Sequence, residues 1–288
     1  MDLTTFLIQA LNGVQYGFLL FLVASGLTLI FGIMGIINLA HGAFYMLGAY
    51  ITYWLIGYTG NLAIAIAIGL IIMVVVGYAI ERLAISFLYN RDHLHQVLLT
   101  YGMILILNEL QKIFWGTDFY SVPVPEILKG GIELTETQSY PIYRLFISLV
   151  CMIVAAGLYL LISKTKLGMM IRAGATNREM TQALGIDVNR IFAIVFSLGA
   201  ALAAFSGMVG SPVSSVFPGM GDSILIISFV VVVIGGIGSV KGAFVGAMII
   251  GLADTFGTVL LPEFASVVVY AVMAMILLWR PQGLFGKA

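Results

Sequence analysis

The sequence predicts an all-α fold, a single bundle of helices that crosses a membrane many times. Three observations lead there. Hydrophobic residues make up 61% of the 288 and charged residues only 9%, against about 25% charged in soluble domains, and mean hydropathy is +1.10. The apolar residues come in continuous runs long enough for a helix of about 20 residues to cross a bilayer. Because hydrocarbon offers no partner to a backbone polar group, such runs select helices, whereas a barrel needs alternating segments. All seven prolines fall between the runs or at their ends, where helices stop. At about 20 residues per crossing the chain has room for roughly eight to ten helices, so residues 1–288 form one transmembrane domain.

The elements follow in order. The first run, 6–31, has no Lys or Arg ahead of it and is too long for a signal peptide, so it stays as the first helix. A polar break separates it from the second, 36–57. The third, 62–80, and the fourth, 96–115, flank a segment bearing Arg82 and Arg91. Pro123 and Pro125 precede the fifth, 141–163, which opens at Pro141. A long polar stretch leads to the sixth, 190–211, stopped by Pro212, and Pro218 precedes the seventh, 223–238. The eighth, 242–260, ends before Pro262 and the ninth, 264–280, before Pro281.

Positive residues orient the spans, since Lys and Arg are retained in cytoplasmic loops. Lys164, Lys166, Arg172, Arg178 and Arg190 mark 164–190 as cytoplasmic, Arg82 and Arg91 mark 81–95, and Arg280 and Lys287 mark the tail. The stretch 116–140 sets Asp118, Glu126, Glu133 and Glu136 against Lys129 alone, and 57–61, 211–222 and 254–263 carry no Lys or Arg; these lie outside. The amino terminus is then exterior and the carboxyl terminus cytoplasmic, with nine spans, or eight if one run is re-entrant.

The cytoplasmic stretch 164–190 holds the most informative segment. Thr176-Asn177-Arg178-Glu179 has the form of a capping box, with a helix from Asn177 to Leu184 and Gly185 stopping it in the left-handed conformation. Met180, Ala183 and Leu184 give it a small apolar face. Eight residues are marginal alone, so the helix is either part of a tidy surface loop or a docking helix for a partner.

Further polar positions are candidates for a pathway or gate. Asn38, His41 and Gly42 lie in the break after the first run, as a gate or as an ordinary turn. Ser239 and Lys241 lie in Gly235 to Gly242, whose glycine spacing fits neither a Rossmann fingerprint nor a P-loop. Gln9, Asn12 and Tyr16 recur at i, i+3 and i+7, placing three polar groups on one face near the exterior end, for interhelical hydrogen bonds or for solute. Tyr101, Asn108 and Lys112 make a similar stripe, with Glu109 placed to pair with Lys112. Gly13 and Gly17, and Gly199, Ala203 and Gly207, are small residues four apart that favour close helix packing. Gly35, Ile37, Gly42, Ala43 and Phe44 recur 200 residues later, through duplication or through the abundance of small residues.

Other classes lack residues to act with. No P-loop, zinc-binding His-Glu-x-x-His pair, Gly-x-Ser-x-Gly elbow or mid-helix chain of Asp, Glu and His is present. Cys151 is the only cysteine, so neither an internal disulfide nor a cysteine metal cluster forms. Neither metal nor cofactor is expected, and zero net charge gives a nucleic-acid partner no support. The chain reads as a conduit powered from elsewhere.

Gly26 to Gly32 followed by Asn38 to Gly42, the loop from Arg172 to Ile186, the Gly235 to Gly242 turn and the ending Arg280 to Gly286 together resemble the branched-chain amino-acid permeases of ABC importers. The resemblance implies an inner-membrane complex with a second homologous permease, two cytoplasmic ABC ATPase subunits and a periplasmic solute-binding protein. It also implies that the loop helix is the family's coupling segment, Glu-Ala-Ala-x-x-x-Gly. Glu179 and Gly185 match, whereas Met180 and Thr181 replace the two alanines. A permease for urea or short amides, a self-sufficient channel or carrier, and a membrane scaffold are the alternatives.

Overall fold

The computed structural model describes residues 2–89, 91–135 and 138–286, so Glu136 and Lys287, which enter the charge count above, lie outside the described residues. Each apolar run forms one helix. In chain order these are α1 (Leu3–Met34), α2 (His41–Thr59), α3 (Leu62–Leu83), α4 (His93–Trp115) and α5 (Ile142–Lys164), then α8 (Val188–Gly210), α9 (Met220–Gly235), α10 (Val240–Leu260) and α11 (Ala265–Trp279). Among the described residues six of the nine are long and apolar enough to cross a membrane by themselves, and α11 is so only together with the turn Pro262–Phe264 before it; α2 and α9 are not. At 16 residues α9 is short. In α2 every residue from His41 to Thr52 is buried. A helix surrounded by protein needs no lipid-facing surface.

α1 and α8 form the centre. Every residue of α1 from Gly17 to Ile30 is buried, as is nearly all of α8, the pattern of helices that are apolar all round. At the periphery, α11 buries Val269 alone among its residues. Small residues let the central backbones meet: a methyl group at Gly26 would lie 2.6 Å from the Gly199 carbonyl oxygen, and one at Gly251 would lie 2.5 Å from that of Gly13. Ser206 Oγ donates to the Leu19 carbonyl at 2.9 Å, and Tyr143 Oη to that of Val209 at 2.9 Å.

The break after α1 runs inside the protein. Gly35 ends α1 with φ +66°, and Ile36, Asn38 and Ala40 are then fully buried. His41, first in α2, donates from Nε2 to the Val23 carbonyl at 2.9 Å. Val23 lies eleven residues before Met34, about 16 Å along the helix. The connection therefore climbs back to the depth of mid-α1, where irregular backbone is tolerated because protein covers it.

Two regions differ from the sequence expectation. The stretch 116–140 contains an antiparallel hairpin, β1 (Gly131–Thr135) and β2 (Gln138–Pro141), with Ile132 opposite Tyr140. The stretch 164–190 holds two helices, α6 (Lys166–Thr176) and α7 (Arg178–Ala183), so α7 is shorter than the expected Asn177 to Leu184. Its cap is Asn177, not Thr176. Thr176 is still helical, with its hydroxyl donating to the Arg172 carbonyl at 2.9 Å. Asn177 is the first extended residue, φ −153°, and its Oδ1 accepts the Met180 amide at 2.9 Å. No hydrogen bond from Glu179 back to Thr176 occurs among the described residues. Gly185 adopts φ +82° at the far end, where the Ile186 amide reaches the Thr181 carbonyl at 3.3 Å.

Candidate functional site

Two cavities approach α1 from opposite ends. The first, about 460 Å³, lies at the hairpin end, where Gln138 Nε2 donates to Thr5 Oγ1 at 3.3 Å. Gln9, Asn12 and Tyr16 all line it. Asn12 Nδ2 donates to Gln9 Oε1 at 3.1 Å, and Arg144 Nη1 of α5 donates to Asn12 Oδ1 at 2.7 Å. Across the cavity, Asp254 of α10 completes a lining that also includes Ser223, Thr255 and apolar side chains. Arg144 and Asp254 are the groups that the sequence analysis missed. Asp254 falls in a stretch assigned to an exterior connection, yet it sits six residues inside the end of α10. The signal was present: each is an ionisable residue inside an apolar run.

The second cavity, about 970 Å³, opens at the other end between α1, α5, α6 and α10. Ser239 and Lys241 line it with Arg172 and Thr176. Ser239 caps α10, its Oγ accepting the Gly242 amide at 3.0 Å, while Arg172 donates to the Ile162 carbonyl. Phe285 closes part of this wall. It is held there because the tail pairs with the end of α9: the Leu284 amide donates to the Ile234 carbonyl at 2.8 Å and the Phe285 amide to that of Gly235 at 3.0 Å. Two segments 50 residues apart, the Gly235 turn and the Arg280 ending, thus form one structure.

Between the cavities the bundle is packed. Asn38 and His41 are fully buried in this zone and line neither cavity. Asn38 Oδ1 accepts the Ala40 amide at 3.1 Å. Asn38 Nδ2 and His41 Nδ1 have no hydrogen-bond partner among the described residues. Gly42 is pressed on Gly221 of α9, leaving no room for a side chain. Lys112 Nζ pairs with Glu109 Oε1 at 2.7 Å at the surface, and Tyr101 is exposed.

α7 is held out from the bundle. Thr181 is buried beneath it, and Arg178 lies over the rings of Tyr89 and Phe192, which meet edge to face at 5.0 Å. The Tyr89 hydroxyl in turn donates to Glu81, buried at the end of α3. Glu179, Met180, Ala183 and Leu184 all face away from the chain.

Cavities that reach one central helix from both ends, closed off from each other by its buried middle, are the build of a membrane transport subunit. The chain belongs to the family described as branched-chain amino acid transport system / permease component, whose model matches residues 9–277. It is similar to the high-affinity branched-chain amino acid transport system permease protein BraD of Pseudomonas aeruginosa, 33% identical over 98% of this chain and 96% of that protein. The corresponding protein LivH of Escherichia coli strain K12 is 31% identical over the same shares. LivM of that strain is 24% identical, over 90% of this chain and 66% of its own length. No solved structure matches.

Proposed function

We propose that this chain is the permease subunit of an ABC importer that carries branched-chain, hydrophobic amino acids across the cell inner membrane, with ATP hydrolysed on separate subunits. The observation that carries the proposal is α7. Six residues do not hold a helix in isolation, yet this one is capped at both ends, braced by Arg178 and shows Met180, Ala183 and Leu184 outward. A short braced helix with an apolar outer face suits a groove on a partner. Family membership supports an ATPase as that partner, with Glu179 and Gly185 as the retained coupling residues, and the relatives' names supply the solute.

In this arrangement the amino terminus and hairpin face outside, toward a solute-binding protein. The α6–α7 end and carboxyl terminus are cytoplasmic. Closure of two ATPase subunits pushes α7 and exchanges an outward for an inward opening, with Asn38, His41 and Gly42 at the gate. Similarity to both LivH and LivM supports a second, homologous permease beside this one. The test is reconstitution in proteoliposomes with the ATPases, second permease and binding protein. ATP-dependent leucine uptake is expected, and solute flux through this chain alone would overturn the proposal.

A further inference from the structure

We infer that the cavity at the hairpin end is a binding site for a zwitterionic α-amino acid with an apolar side chain, Arg144 taking the carboxylate and Asp254 the ammonium group. The inference rests on the proposed function and adds a site and a recognition chemistry to it.

Charges within membrane-spanning helices are costly, and when they persist they are paired or serve a pathway. Arg144 and Asp254 are both half-buried and line the same cavity, yet neither belongs to an ion pair among the described residues. Arg144 makes one side-chain hydrogen bond, to Asn12. A guanidinium has five N–H donors in a fixed fork, so most of its capacity remains. The Gln9–Asn12 bond holds Asn12, and Asn12 holds the fork, so a bidentate carboxylate site is pre-oriented. The Asp254 carboxylate has no hydrogen-bond partner among the described residues.

Two opposite charges kept apart on one cavity are neutralised together only by a ligand that carries both. An anion alone leaves Asp254 unmatched, a cation alone leaves Arg144 unmatched, and a neutral amide matches neither. Much of the remaining wall is apolar and suits an apolar side chain, with Leu19, Val213, Phe217, Met220, Ile224 and Val259 interleaved with the hydroxyls of Ser214, Ser215, Ser223, Thr255 and Thr258. The 460 Å³ volume falls within the usual range of small-molecule sites, about 300–1,000 Å³.

The test uses the assembled transporter in lipid nanodiscs without its binding protein, with leucine binding followed by saturation-transfer NMR, which detects weak sites. Competitors are leucinamide, which lacks the carboxylate, and 4-methylpentanoate, which lacks the ammonium group. Leucine should outcompete both. Arg144→Gln should weaken leucine about ten- to hundredfold and abolish its advantage over leucinamide, while keeping that over 4-methylpentanoate. Asp254→Asn should do the reverse, and Arg144→Lys should recover part of the loss. If a variant does not assemble, wild-type competition decides: competitors that bind as well as leucine overturn the site, as does a variant with unchanged discrimination. Uptake by the wild type separates the two levels. Leucine import with unchanged discrimination in the variants removes the site and leaves the proposed function, whereas a complete transporter that imports no amino acid removes both.

Discussion

The guanidinium carbon of Arg178 lies 5.1 Å from the centre of the Phe192 ring, so one side chain fastens α7 to α8. Tyr89, at 5.3 Å, extends the fastening to the end of α3. A cation over two aromatic faces contributes about 0.5–2 kcal/mol, and here it sets the angle at which the outward face of α7 is presented. Arg178→Ala should therefore lower ATP-driven leucine uptake roughly 3- to 30-fold without preventing membrane insertion, and Arg178→Lys should retain part of it. Uptake in proteoliposomes matched for protein content checks this; equal rates for Arg178→Ala and wild type would count against the brace.

Capping distinguishes neighbouring residues. Asn177→Ala removes the acceptor of the Met180 amide and should destabilise α7 by about 1 kcal/mol. Thr176→Ala loses a hydroxyl that donates back into α6 and should leave α7 nearly unchanged. Hydrogen exchange at residues 180–184 measures both, with faster exchange expected only for Asn177→Ala.

Close helix contact at the centre predicts sharp differences among glycines. Gly26→Ala places a methyl group 2.6 Å from the Gly199 carbonyl oxygen, and overpacking of this kind costs about 1–3 kcal/mol. Gly102 and Gly157 have nothing within 4 Å of an added methyl group, so Ala there should be tolerated. Cys151 is the single, fully buried thiol and reports the outcome directly. On heating with a thiol-reactive dye, labelling should begin at a lower temperature in Gly26→Ala than in Gly102→Ala or wild type.

The tail should be needed for the α9 end. Truncation after Arg280 leaves the Ile234 and Gly235 carbonyls without the Leu284 and Phe285 amides, at about 1–3 kcal/mol for each one left unsatisfied in a buried place. Lower thermal stability by the same dye assay is expected, together with faster hydrogen exchange at residues 232–238.

His41 offers a separate check of the packed zone. His41→Ala removes the donor to the Val23 carbonyl and opens a void beside Gly26. Uptake should fall while association with the ATPases, read by co-purification, stays unchanged, because α7 is braced on Tyr89 and Phe192, whereas His41 is held against Val23 and Gly26.

The helices were legible in the amino-acid order alone. Continuous apolar runs have one solution in hydrocarbon, and prolines mark where it stops, so all nine runs became helices within a few residues of their expected ends. The amino-acid order also located Gln9, Asn12 and Tyr16 on one face, because helical spacing is a local property. Thr176 was expected as the cap because Thr followed three residues later by Glu has the form of a capping box, although Asn is the stronger cap of the two. The choice of Asn177 fell to α6, whose amphipathic turn continues through Thr176 and is stabilised by packing on its neighbours. Which charges share a cavity is set by how the helices pack against one another. Arg144 and Asp254 are 110 residues apart, on helices that line one cavity only through the fold, and Arg178 finds Tyr89 and Phe192 in the same way. Helix formation is fixed by hydrogen bonds reaching four residues along the chain, whereas each cavity is fixed by side chains that converge from four to six helices, and no local periodicity encodes that convergence.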